Sequence, residues 1–216
     1  MEFTLFMIFS MVEAFALYYF MFRLFKIDLH IPSIVFASLI GSYASYTLRI
    51  SSTLPDVDIF VQVSLIIAFV RLLFQVPLYY SVLMACVSYA SFVLIQISLL
   101  FILTASFPVP RDLDPTQNMI YGVQTGTALV VTWIGWLIHK KRKGFSFIPH
   151  SSFIPVKMKS YQAALLILYV LTFCSVPITY LLLYKFSPAF ITTPFIIGLL
   201  LTLCLYAAYR SDRTHD

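Results

Sequence analysis

Seven apolar stretches, each near the length needed to cross a lipid bilayer, take up most of this chain. They run over residues 3–22, 31–48, 59–76, 78–104, 118–138, 163–184 and 190–209. A bilayer's hydrocarbon core takes about 20 helical residues per crossing. Backbone polar groups in lipid must be satisfied within the segment, so each crossing has to be a helix. Residues 59–104 are nearly continuous, which would give a helix of roughly 69 Å. One span of about 30 Å cannot hold that length. Pro77, in Gln75-Val76-Pro77-Leu78-Tyr79-Tyr80, is the natural break, because proline lacks a helix donor and restricts its predecessor. Composition agrees: 61% of residues are hydrophobic and 11% charged, with mean hydropathy +0.92. The expected fold is therefore all-α. It is a polytopic bundle of seven transmembrane helices, with residues 1–216 forming a single transmembrane domain.

The cations set an orientation. With the N-terminus outside, the cytoplasmic side receives Arg23, Lys26, Arg71, Lys140, Lys141, Arg142, Lys143, Lys157, Lys159, Arg210 and Arg213. The outer side receives Arg49, Arg111 and Lys185. Eleven of the 14 Lys and Arg thus lie inside, as the positive-inside rule asks. The C-terminus is inside, and the expected location is a plasma membrane crossed several times. The start, Met1-Glu2-Phe3, lacks a signal peptide's basic region, so the first segment is expected to be retained. Tyr18, Tyr19, Tyr79, Tyr80, Trp133, Trp136, Tyr206 and Tyr209 fall near cytoplasmic ends and are expected as interface anchors.

Polar groups inside the spans are costly, so they point to packing or function. Glu13 and Arg71 come out at similar depths, about 15 and 18 Å from the outer surface, and could form a structural ion pair. Arg71 could instead snorkel to the inner interface. Glu13, Tyr43, Gln62, Gln96 and Gln124 share the outer half. They form a candidate ligand-binding cavity, or else a set of interhelical hydrogen bonds. Small residues Ala37, Gly41 and Ser45, and the pair Gly122 and Gly126, have helix-packing spacing. In the largest inner loop, Lys140, Lys141, Arg142 and Lys143 precede Phe145, Phe147, Ile148, Phe153 and Ile154, with Lys157 and Lys159 at the close. These six cations are the candidate lipid-binding set for an anionic leaflet; a protein-docking surface is the other reading.

No nucleotide-binding, zinc-protease or serine-hydrolase motif occurs. His30, His139, His150 and His215 are scattered outside the spans, and Cys86, Cys174 and Cys204 sit in apolar runs without CxxC spacing. The chain is expected not to be an enzyme, to use no catalytic residue, metal or cofactor, and to bind no nucleic acid.

The stretch Phe22-Arg23-Leu24-Phe25-Lys26-Ile27, the end Tyr43-Ala44-Ser45-Tyr46-Thr47-Leu48-Arg49 and the hairpin Phe74-Gln75-Val76-Pro77-Leu78-Tyr79-Tyr80-Ser81 carry a family likeness. In them the chain resembles the N-terminal membrane sensor region of bacterial AgrC-type (accessory gene regulator) histidine kinases. The resemblance implies a multi-helix membrane domain that detects an external peptide and signals to a kinase. After Tyr209 only Arg210-Ser211-Asp212-Arg213-Thr214-His215-Asp216 follow, so the expectation is a kinase-less relative. Such a relative would be a sensor or accessory component of peptide signalling, acting through a histidine kinase or another membrane partner. A small transporter or transporter subunit, and a structural membrane protein, are the alternatives.

Overall fold

The computed structural model describes residues 2–51, 55–106, 117–142, 144–145, 198 and 202. Every element among them is helical. Helix α1 spans Glu2–Leu24 and α2 spans Ile31–Tyr46, continued by a π-helical turn, Thr47–Ser51. Helix α3 spans Pro55–Leu73, α4 Leu78–Ser106 and α5 Gln117–Lys140. Three helical stretches, Phe3–Leu24, Ile31–Arg49 and Leu78–Leu100, are long and apolar enough to cross a membrane. The predicted segments 163–184 and 190–209 lie outside the described residues, apart from Gly198 and Thr202, which are helical.

The segment boundaries move in two places. Helix α3 starts at Pro55 rather than residue 59, because proline is suited to a helix's first turn. It ends at Leu73, and residues 74–77 make the turn, with Gln75 at φ 54°. Pro77 does separate the two helices. Ser81 donates its hydroxyl to the carbonyls of Val76 and Pro77, closing the start of α4.

Helix α1 is the centre of the bundle, packing against α5, α2 and α4. Around its C-terminal half the core is apolar: Tyr18, Met21, Phe22 and Phe25 are buried with Val70, Tyr80, Met84 and Val131. Phe22 packs on Phe74 with ring centroids 4.4 Å apart. Tyr18, Tyr79 and Tyr80 therefore belong to the core, not to the interface belt expected of them. Trp133 and Trp136 are exposed, as anchors should be; Tyr206 and Tyr209 lie outside the described residues. The outer surface is itself apolar, with Ile8, Val12, Leu39, Phe60 and Leu129 exposed. A soluble monomer rarely presents so much, and lipid is the solvent such a surface suits.

Small residues set the helix spacing. Ala37, Ser38, Gly41, Ser42 and Ser45 form the buried face of α2. On α5, a Cβ at Gly126 would stand 3.0 Å from Leu99, whereas one at Gly122 would meet nothing within 4 Å. Gly135, which the spacing argument passed over, makes a close approach: its Cβ would lie 3.1 Å from the Tyr19 ring and 3.4 Å from the Phe20 backbone. Beyond α5 the chain returns to α1. The Phe145 N–H donates to the Leu24 carbonyl at 2.9 Å. A Cβ at Gly144 would sit 2.8 Å from that same oxygen, so glycine is needed there.

These contacts rank the glycines. Gly135→Leu is expected to cost about 1–3 kcal/mol, since it must push α1 and α5 apart. Gly122→Leu, in open space, should stay within about 0.5 kcal/mol. Unfolding midpoints of the two variants in detergent check the order; equal losses would contradict this packing.

Candidate functional site

A polar pocket of about 120 Å³ opens where the N-terminal half of α1 meets the other four helices. Helix α1 contributes Ser10, Glu13 and Leu17; Ser45 and Arg49 come from α2 and its π-helical turn. Gln62 and Ile66 come from α3, Tyr89, Phe92 and Gln96 from α4, and Gln124 from α5. π-Helical turns recur at functional sites because they re-aim a side chain within a helix. Here that turn carries Arg49, which lies on the pocket wall.

Asp58 organises one side of the site. Its side chain is 1% exposed, and it accepts from Arg49 Nε at 2.6 Å and Ser45 Oγ at 3.0 Å on Oδ2. Gln62 Nε2 stands 3.4 Å from Oδ1. Gln62 Nε2 also donates to the Gly41 carbonyl at 2.8 Å. That reach across to α2 depends on Gly41 having no side chain, because a Cβ would stand 3.3 Å from Gln62 Oε1. Arg49, by contrast, is 46% exposed. The pair thus joins a fully buried anion to a cation that still meets the surroundings.

Glu13 organises the other side. It is half-buried, about 16 Å along α1. Gln96 Nε2 donates to its Oε1 at 3.3 Å, and Gln124 lines the same pocket. Gln124 is only 7% exposed, and its Oε1 has no hydrogen-bond partner.

Four of the five side chains assigned to an outer cavity, Glu13, Gln62, Gln96 and Gln124, line this pocket together. Tyr43 does not: it is 59% exposed, on the face of α2 away from the buried serines. The ion pair expected between Glu13 and Arg71 does not form. Arg71 is exposed and lines a separate cavity with Leu72, Gln75, Val76 and Pro77. The earlier start of α3 puts Arg71 about 6 Å farther along than the segment arithmetic assumed. Arg49, expected only as an outer-side charge, forms the ion pair instead, with Asp58. Their opposite charges flank a short connection between helices, which was the available signal.

At the other end of the bundle, Arg23 donates to His139 Nδ1 at 2.9 Å, tying α1 to α5. Of the lipid-binding candidates, Lys140, Lys141 and Arg142 are exposed. Lys140 Nζ lies 4.8 Å from the Trp136 ring centroid. Lys143, Lys157 and Lys159 lie outside the described residues. Cys86 is buried within α4; Cys174 and Cys204 also fall outside. No family model matches the sequence, and neither the curated proteins nor the solved structures contain a match to it.

The unequal burial of Arg49 and Asp58 gives an asymmetric expectation. Arg49→Leu leaves a buried, uncompensated carboxylate and should cost about 3 kcal/mol. Asp58→Leu leaves a guanidinium that can turn outward and should cost less, about 1–2 kcal/mol. The double variant should recover part of the larger loss. A double-mutant cycle on thermal unfolding measures this, and strictly additive losses would remove the coupling.

Proposed function

We propose that this chain is a multi-pass plasma-membrane sensor, or an accessory component of peptide signalling, that works without catalysis through a partner protein. The observation that carries this reading is the pocket of Glu13, Gln62, Gln96 and Gln124, to which all five described helices contribute. Binding in a site shared by several helices can favour one arrangement of those helices over another, provided the ligand's affinity differs between them. Such a ligand therefore has a means of changing the bundle's conformation.

The full reading has seven spans, the N-terminus outside and the C-terminus inside. The distribution of Lys and Arg supports it. In that orientation the pocket lies in the outer half, open to an external ligand such as a peptide end. The cations Lys140, Lys141 and Arg142 then lie at the cytoplasmic leaflet, where anionic lipid attracts each by about 1 kcal/mol. The partner in this reading is a histidine kinase or another membrane protein, as the resemblance to AgrC-type sensor regions implies. Transport of a small solute is the competing use of the same pocket.

Two measurements decide. In a background lacking the native cysteines, Asp112→Cys should be labelled from outside and Lys157→Cys only from inside; labelling from one side for both would end the seven-span topology. The full chain should copurify from its native membrane with a kinase or other membrane partner, transfer no phosphate alone, and move no solute in vesicles. Solute uptake abolished by Glu13→Gln or Gln96→Leu would replace sensing with transport.

A further inference from the structure

The acceptors and charges around the pocket do not balance. Glu13 and Arg49 line the pocket, and Asp58, behind the lining, holds the Arg49 Nε at 2.6 Å, so two carboxylates surround one guanidinium. The hydrogen bond shown to Glu13 among the described residues comes from an amide, Gln96. An ionised carboxylate only accepts hydrogen bonds. Gln96 meets it through Nε2. Gln124 lines the same pocket, and its oxygen has no donor although the residue is more than nine-tenths buried. A buried amide oxygen without a donor calls for one from a water or a ligand. The pocket thus combines a carboxylate, beside a guanidinium already held by Asp58, with a buried acceptor that lacks a donor.

We propose that this pocket binds a primary ammonium group carried on a short apolar body, such as an alkylamine or the amino end of a peptide. Glu13 and Gln124 Oε1 accept two of its three N–H groups, and Ser10 or water takes the third. Leu17, Ile66 and Phe92 line the same cavity and receive the carbon chain. Tyr89 and Phe92 add aromatic faces, which attract cations. Arg49 does not exclude the ligand, because Asp58 neutralises it at 2.6 Å. A bare metal ion fits less well: calcium and magnesium take six or more oxygens, and part of this lining is hydrocarbon. The proposal names the ligand chemistry of the pocket and rests on its being the ligand site of the function proposed above.

The test uses the purified full chain in lipid nanodiscs and n-butylammonium chloride as probe, with binding read by titration calorimetry and thermal shift. Saturable binding is expected. n-Butyltrimethylammonium has the same charge but no N–H, and it should bind at least about tenfold more weakly, as should sodium at matched ionic strength. Glu13→Gln should lower affinity about tenfold or more. Gln124→Glu keeps the side chain's size, adds a second carboxylate and should tighten binding severalfold, so the proposal does not depend on one variant folding. Equal binding of sodium, no saturable binding to the folded wild-type chain, or affinity indifferent to both substitutions would overturn it. Loss of amine binding while the membrane partner still copurifies would defeat this proposal alone. Amine binding with no partner would support it and defeat the signalling reading.

Discussion

A carboxylate can sit inside an apolar bundle only if other groups take over from water, and Asp58 meets that condition with three donors. Desolvating such a group costs several kcal/mol, so its partners must arrive from the neighbouring helices together. Arg49 and Ser45 come from α2 and its extension, and Gln62 from α3 itself. Gln62 then reaches back to the Gly41 backbone. The relative height of α2 and α3 is fixed by these bonds. Slipping either helix by one residue, about 1.5 Å, would break the short Arg49–Asp58 contact.

The bundle has two halves of different chemistry as a result. Around the C-terminal part of α1, aromatic and aliphatic side chains fill the interior, and the helices are held by shape. Around its N-terminal part, amides, carboxylates and a guanidinium meet, and the helices are held by directional bonds around a cavity. Dispersion contacts pack an interior without needing a particular donor. Hydrogen-bonded groups leave space wherever their geometry does not close. The cavity lies in the second half for that reason.

The helices themselves were legible in the sequence, because hydropathy and the position of Pro77 act locally. Five described helices match five predicted segments, with ends shifted by up to about four residues. The pocket was legible only by depth. Counting residues from a span's end gives height, and height brought Glu13, Gln62, Gln96 and Gln124 to one level. Rotation about the axis is a separate variable. Tyr43 follows Ser42 and precedes Ser45, yet at about 100° per residue it faces away from both. The Arg49–Asp58 pair escaped for another reason. A charge at a predicted span end is ordinarily solvated, and nothing local to either residue shows that the π-helical turn faces Arg49 inward. Small residues were read correctly as packing surfaces on α2, while Gly135 went unnoticed because no second glycine stands four residues away.

The bond from the Phe145 N–H to the Leu24 carbonyl has a mechanical consequence. Glu13 and Leu24 belong to one unbroken helix, some 16 Å apart. An α-helix of that length transmits a twist or an axial displacement with little compliance. Its far end is latched to the segment that follows α5, where Gly144 leaves no room for slack. Helix α1 therefore ties the two ends of the bundle together: the helix that carries Glu13 into the pocket also holds, through its own core residues and the Leu24 carbonyl, the chain that follows α5.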